Sequence, residues 1–323
     1  MAHTRSIVTG AAGFIGSHLA AHLIAQGHEV VGIDCFTPYY DPALKRANVA
    51  ALRASPRFRL VDADLATADL GPLLAGADYV FHQAAQAGVR ASWGESFATY
   101  THHNVLATQR LLEALTGSSI RKLVYASSSS VYGDAPLPMR ETARPQPISP
   151  YGVTKLAAEH LCHLYHVNYG LPTVALRYFT VYGPRQRPDM GIHKFIRAIA
   201  AGETISVYGD GHQSRDFTYV DDIVRANVLA AEAPAVGAVI NVGGGTRITV
   251  SALLHQLEEI VGRRAHLAHL GGQKGDVGHT GADCTQARRL LGFTPSVDLT
   301  EGLRRQVAWQ CPAATGERLR AAG

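Results

Sequence analysis

Short apolar runs alternate with helix-period segments through the first half of the chain. Ser6–Thr9 reads as a buried strand. After Gly10 the spacing predicts a helix from about Phe14 to Gln26, stopped by Gly27. His28–Asp34 is the next strand, and Phe58–Val61, Tyr79–His82, Lys122–Ala126 and Thr173–Arg177 follow, with helical stretches between most of them. Long helices are expected at about Phe97–Leu115 and Tyr151–Asn168. Strand–helix alternation of this kind predicts a parallel sheet covered on both faces. From Tyr178 the pattern loosens. The segment RYFTVYGPRQRPDM is rich in Pro, Gly and Arg and reads as a loop lining a site, with further loops at Tyr208–Ser214, Gly243–Thr246 and Gly271–His279. The fold expected is therefore α/β. Residues 1–177 form a doubly wound parallel sheet, and residues 178–323 form mainly a smaller α/β lobe facing a substrate, with some segments returning to the first unit. The small, polar tail from Pro312 reads as a loosely held terminus.

Composition narrows the function. At 323 residues and 46% apolar content the chain can bury a large core. The net charge of +4 comes without a basic block, so a nucleic-acid partner is not expected, whereas a small anionic ligand suits the slight excess. Cys35, Cys162, Cys284 and Cys311 form no CxxC pair and read as reduced thiols of a cytoplasmic protein, not as a disulfide framework or zinc site. The first strand begins near Arg5, leaving no room for a signal peptide, and no apolar stretch is long enough to span a bilayer.

The 32 glycines are not evenly informative. Gly10, Gly13 and Gly16 are spaced G-x-x-G-x-x-G directly after a strand and at the start of a helix, with Phe14 and Ile15 inside the turn. Missing Cβ atoms there let backbone N–H groups approach a pyrophosphate at the helix N-terminus. Asp34, at the end of the second strand, is placed to bind both ribose hydroxyls and to repel a 2′-phosphate, and Cys35-Phe36 supplies no arginine to accept one. This favours NAD over NADP. Asp64-Leu65 follows the third strand and is a candidate adenine contact. Ala84-Ala85-Gln86 follows the fourth, where small residues let a dinucleotide pass, and Asn104 is placed to support that loop.

A second constellation carries chemistry. Tyr151 and Lys155 lie at i and i+4 on one helix face, after a Ser149-Pro150 helix start. A phenol titrates near pH 10, so a tyrosine base needs help; the Lys155 ammonium and a nicotinamide cation would both favour the phenolate. Lys155 is also placed to hold the nicotinamide ribose. A hydroxyl from Ser127–Ser130, at the end of the fifth strand, completes the set.

The motifs TGAAGFIGSHL, HQAAQAGVR, YASSSSVYGD, SPYGVTK, RYFTVYGPRQRPDM and RDFTYVDDIV, with the late QKGDV and ADCTQARRLLGF, span about residues 5–310. The chain resembles the extended short-chain dehydrogenase/reductases, and among them the nucleotide-sugar epimerases and dehydratases. The resemblance implies a Rossmann-type fold with a smaller substrate lobe. It gives Ser128, Tyr151 and Lys155 the catalytic roles, makes a UDP-sugar the partner, and implies a homodimer built through the two long helices.

The resemblance also discriminates among reactions. The family's dehydratases carry an Asp-Glu pair, and its UDP-glucuronate decarboxylases a Glu, where this chain has Ser129 and Ser130. The segments PYYDPALK, AAQAGVR and FTVYGPRQRPDM look most like UDP-glucuronate 4-epimerases. UDP-glucose 4-epimerases usually carry Asn where Thr180 stands, and an arginine where Gln273 stands. The implied reaction is transient oxidation at C4, rotation of the 4-keto intermediate and re-reduction. Ser128, Ser129 and Ser130 offer hydroxyls to a sugar carboxylate, and Arg185 or Arg187 a charge-assisted contact. By position in the family, Arg215 suits the diphosphate. Asp276 suits a ribose hydroxyl or an arginine partner. His193, Thr204, Val207 and Tyr208 are placed as uridine-pocket walls, and Arg90 lies near the cofactor–substrate junction.

His160, His163 and His166 drift around their helix and form no metal motif, and His102-His103 reads as a surface pair, so no metal is expected. The rival enzymes are a UDP-glucose 4-epimerase and then a UDP-glucuronate decarboxylase. The non-enzyme rival is an NAD-sensing or RNA-binding relative, which would have no need of Tyr151 and Lys155 together.

Overall fold

The computed structural model describes residues 4–312; of the tail expected to be loose, all but Pro312 lies outside the described residues. Twelve strands are formed among these residues: β1 (Arg5–Thr9), β2 (Glu29–Asp34), β3 (Phe58–Asp62), β4 (Tyr79–His82), β5 (Lys122–Ser128), β6 (Thr173–Tyr178), β7 (Thr180–Tyr182), β8 (Thr204–Tyr208), β9 (Ser214–Tyr219), β10 (Ala238–Val242), β11 (Arg247–Thr249) and β12 (His266–Leu270). The helices are α1 (Phe14–Ala25), α2 (Pro42–Ala50), α3 (Gly71–Leu74), α4 (Phe97–Tyr100), α5 (Ala107–Leu115), α6 (Pro150–Tyr169), α7 (Gly191–Ala201), α8 (Val220–Glu232), α9 (Val250–Val261), α10 (Thr285–Leu291) and α11 (Leu299–Gln310).

Seven strands build one parallel sheet in the order β10-β6-β5-β4-β1-β2-β3. Alternate residues of its central strands go to opposite cores. Val8, Phe81, Val124 and Leu176 pack with Leu19 and Leu23 of α1 and Ile223 and Ala226 of α8. Ile7, Val80, Leu123 and Ala175 pack with Leu111 and Leu112 of α5 and Ala158 and Cys162 of α6. Period-two burial on both faces is why these strands read as continuous apolar runs. The chain runs outward from β1 to β3, then returns to the other side of β1 for β4. The crevice beyond the C-terminal ends of β1 and β4 is therefore the switch point of a Rossmann-type sheet, where ligands bind. β10 extends that sheet beyond β6. Two small sheets, β11-β9-β7 and β12-β8, come wholly from the second half of the chain.

Local chemistry sets the helix that matters most. The Ser149 side chain accepts the Gly152 N–H at 3.1 Å, Pro150 occupies the first turn, and Gly170 (φ 68°) ends α6 in the left-handed region. The expected helix over 97–115 is present with one interruption: Thr101–Leu106 is a π segment between α4 and α5. Such segments widen the turn and re-aim side chains. No helix among the described residues is long and apolar enough to cross a membrane.

Candidate active site

The glycine turn is shaped by its own backbone. Gly10 has φ 67°, and a Cβ on it would sit 2.8 Å from Ala84 Cα. A Cβ on Gly16 would sit 2.1 Å from Gly10 O. The first and third glycines thus close the turn against itself and against the loop after β4. Asp34 braces it from β2: Oδ2 accepts Ala12 N–H at 3.0 Å and Oδ1 accepts Phe36 N–H at 2.8 Å. Gly10, Gly13, Phe14, Ile15, Gly16 and Asp34 line one groove, together with Asp64, Leu65, Ala84, Ala85 and Gln86. Asn104, on the π segment, lies behind it: its Oδ1 accepts Gln86 N–H at 2.7 Å and its amide donates to Gln86 O and Thr154 Oγ1.

The histidine pair is not a surface pair. His102 Nε2 bonds Asp64 Oδ2 at 2.8 Å, and His103 lines the groove. The π segment turns both rings toward Asp64, and the potential ligand atoms of the three residues lie within 4.8 Å of one another. Sequence reasoning also passed over Tyr39, Tyr40 and Lys45 of the same groove. Lys45, beside Tyr40, is tied to Thr37 by bonds of 2.9 Å to both its carbonyl and its hydroxyl. The only sequence signal for these residues was the PYYDPALK string, whose use became visible when the loop folded over the groove.

Tyr151 and Lys155 come from the first turns of α6 and also line the groove. Burial raises the Tyr151 phenol above its usual range; a hydrogen bond with Ser128 and the Arg187 guanidinium pull it back down. Arg187 is thus a cation near the phenol that the expectation built on Lys155 did not include. Lys155 Nζ instead donates to Ala126 O at 2.8 Å, and full burial pushes its pKa down to about 7. Behind this pair, Ser127 Oγ donates to Glu159, which is locked to Arg177 in a buried ion pair tying α6 to β5 and β6. Tyr100 packs edge-on against Tyr151, and its hydroxyl donates to Ala87 O at 3.0 Å and Gly88 O at 2.7 Å.

The two loop arginines separate. Arg187 lines the groove, whereas Arg185 has φ 63° and reaches Ser17 of α1 at 3.3 Å. That left-handed backbone turns Arg185 away, so of the two only Arg187 stands with Tyr151. Ser128 Oγ accepts the Ser130 N–H at 3.1 Å, which curls Ser129 and Ser130 into a short 3-10 turn beside the phenol. Thr180 lies two residues past Tyr178, the residue paired with Ser128 across the sheet.

The residues expected at the nucleotide end are partly brought together. Arg90 forms a fork with Asp276, with Nη2–Oδ2 at 2.6 Å, and lies over the Tyr208 ring at 4.1 Å. Arg215 is close enough to Asp276 and Arg90 to feel both charges, and donates to Ser214 O and Gly278 O. Val207 is buried in the core. Thr204 sits at the far end of β8 from Tyr208 and outside this cluster, because a strand advances about 3.3 Å per residue. His193 faces Trp309 and bonds Gln186 O at 2.9 Å, so its ring stands with α7 and α11 rather than in the groove.

The residues present fit the dinucleotide: a cradle in which a Cβ is excluded, a braced acid at the end of β2, and small residues at the switch point. Comparison with known proteins agrees. The NAD dependent epimerase/dehydratase family matches residues 6–243. The chain is similar to a UDP-glucuronic acid 4-epimerase from Bacillus cereus solved with UDP-glucuronic acid and NAD. They share 43% identity and a TM-score of 0.93 over 95% of this chain and 99% of that one. It is 39% identical to a UDP-glucuronate 4-epimerase of Thermodesulfobacterium geofontis over 94% of this chain and 95% of the relative. It is 44% identical to an uncharacterized UDP-glucose epimerase, YtcB, of Bacillus subtilis over 96% and 99%. With its glycine turn, its Tyr151–Lys155 helix and this breadth of match, the chain belongs to the NAD dependent epimerase/dehydratase family.

Proposed function

We propose that the protein is an NAD-dependent 4-epimerase interconverting UDP-glucuronate and UDP-galacturonate. The observation that carries the substrate is Arg187. It stands in the groove with the phenol, and one nitrogen, Nη1, has no hydrogen-bond partner among the described residues. A hydroxyl-bearing turn, Ser128–Ser130, lies beside the phenol and offers neutral hydrogen bonds to the same carboxylate.

Bound in the groove, NAD supplies the acceptor and donor of the C4 hydride. Gly10, Gly13, Gly16 and the start of α1 would hold its pyrophosphate, Asp34 its adenosine ribose, Asp64 and Leu65 its adenine, and Lys155 its nicotinamide ribose. Tyr151 removes the O4 proton with Ser128 bonded to the same oxygen, then returns it after the 4-keto sugar has swung about its bonds to the diphosphate. Arg215, Arg90 and Asp276 hold the nucleotide end while the sugar turns. Incubating the pure protein with UDP-glucuronate and separating the products tests the reading. UDP-galacturonate is expected; turnover of UDP-glucose alone would move the protein to the reading favoured by its Bacillus subtilis relative.

Asp34→Ala is expected to weaken NAD binding by about 1–3 kcal/mol, because ribose hydroxyls lose an ionised acceptor and the Ala12 and Phe36 N–H groups lose theirs. Calorimetric titration with NAD and NADP checks it; unchanged affinity, or a wild-type preference for NADP, contradicts the role given to Asp34. The dimer proposed here pairs the outer faces of the 97–115 segment and α6, where Phe97, Leu106, Val153, Leu164 and Val167 are exposed. A monomer mass by light scattering would remove it. The four cysteines form no disulfide among the described residues, which suits a reducing cytoplasm, a placement that cell fractionation checks.

A further inference from the structure

Arg187 enters the groove from the loop between β7 and α7, and the acid two residues on grips it. Nε donates to Asp189 Oδ1 at 2.9 Å and Nη2 to Oδ2 at 3.0 Å. The two side chains are 20% and 29% exposed. A two-point fork fixes the guanidinium in rotation as well as position. Asp189 is held in turn from the loop after β2, where Tyr39 donates to Oδ2 at 3.4 Å. Tyr39 is wedged against the loop after β4, since a Cβ on Gly88 would lie 2.2 Å from its hydroxyl. The loops after β2 and β7 thus meet at one carboxylate, with the loop after β4 packed against Tyr39.

We propose that Asp189 is a positioning residue for epimerisation. By occupying the Nε side edge of Arg187, it fixes the guanidinium so that its end-on edge, Nη1 and the second N–H of Nη2, is the one left for the sugar carboxylate. This inference rests on the UDP-glucuronate reading. Arg187 then meets the substrate only through that end-on edge. The hydroxyls of the Ser128–Ser130 turn complete the carboxylate's partners. The carboxyl plane is therefore set by two separate elements, each fixed before the sugar arrives. Released from Asp189, the guanidinium would be free to turn and pair with the substrate by its Nε side edge instead, binding it at least as well but in a different orientation.

The test is a double-mutant cycle on the NAD-bound protein with UDP-glucuronate. Asp189→Ala is expected to lower kcat by about ten- to a hundredfold, the scale of a small misplacement, while KM does not rise. In an Arg187→Ala background the same change is expected to lower kcat/KM no further. Asp189→Asn keeps the shape and serves where Asp189→Ala does not fold, as judged by thermal unfolding and NAD content. Multiplicative losses in the double variant, or a raised KM with unchanged kcat, would overturn the inference. A wild-type protein inert toward UDP-glucuronate would instead overturn the substrate reading beneath it.

Discussion

Tyr151→Phe is expected to keep the fold, NAD and UDP-sugar binding and to lose about 10²–10⁴ in epimerisation rate, the usual contribution of a positioned general base. The ring is half-buried, with Tyr100 edge-on against it, so a phenyl group fills the same space. Only the hydroxyl goes, and its Ser128 partner keeps a hydrogen bond with the Ser130 N–H. Burial raises the phenol's pKa in the protein alone. The base acts as phenolate, so the wild-type rate rises with pH as the phenol ionises, and the phenylalanine variant loses that dependence. Rates across pH, followed by separation of the two UDP-sugars, check both statements. Near-wild-type turnover of the variant would remove Tyr151 from the mechanism.

Arg187→Ala carries the second large effect, and here the by-product matters as much as the rate. In the wild type, UDP-glucuronate is expected to be used about a hundredfold or more better than UDP-glucose. A hydroxymethyl group leaves a sheltered cation and its neighbouring hydroxyls without their partner, a mismatch typically more costly than a lost apolar contact. Oxidation at C4 of a glucuronate gives a β-keto acid. Its carboxylate leaves as carbon dioxide most readily when the C5–C6 bond aligns with the carbonyl π-system. A carboxylate held between Arg187 and the Ser128–Ser130 turn is kept out of that alignment. Removing Arg187 is therefore expected to lower kcat/KM on UDP-glucuronate by about tenfold or more and to release UDP-4-keto-pentose. Trapping the keto-pentose measures this directly. Equal wild-type activity on both sugars, or abundant keto-pentose from the wild type, would contradict the carboxylate site.

The sheet and its glycine turn were legible because their causes are short-range. Period-two burial marked β1, β4, β5 and β6 in residues that neighbour one another, and the Ser149–Pro150 start and Gly170 stop of α6 are chemistry within a turn. The i, i+4 spacing alone put Tyr151 and Lys155 on one face. The seventh strand was less accessible: Ala238–Val242 joins β6 only after the intervening chain has folded.

Side-chain direction in the loops was not written locally. Arg185 and Arg187 are indistinguishable as letters; one left-handed residue and an acid two places along send the first to α1 and the second to Tyr151. Arg90 and Asp276 meet across 186 residues, and Asp64 meets His102 only because a π segment re-aims the helix. Likewise the spacing of Lys155 did not show that it bonds a strand carbonyl or that burial lowers its pKa. The sequence by itself determined the scaffold and the placing of Tyr151 and Lys155 on one helix face, since backbone periodicity and caps act over a few residues. Only the tertiary structure decided which charges line the groove, since that depends on partners brought together by the fold and on how far each is removed from water.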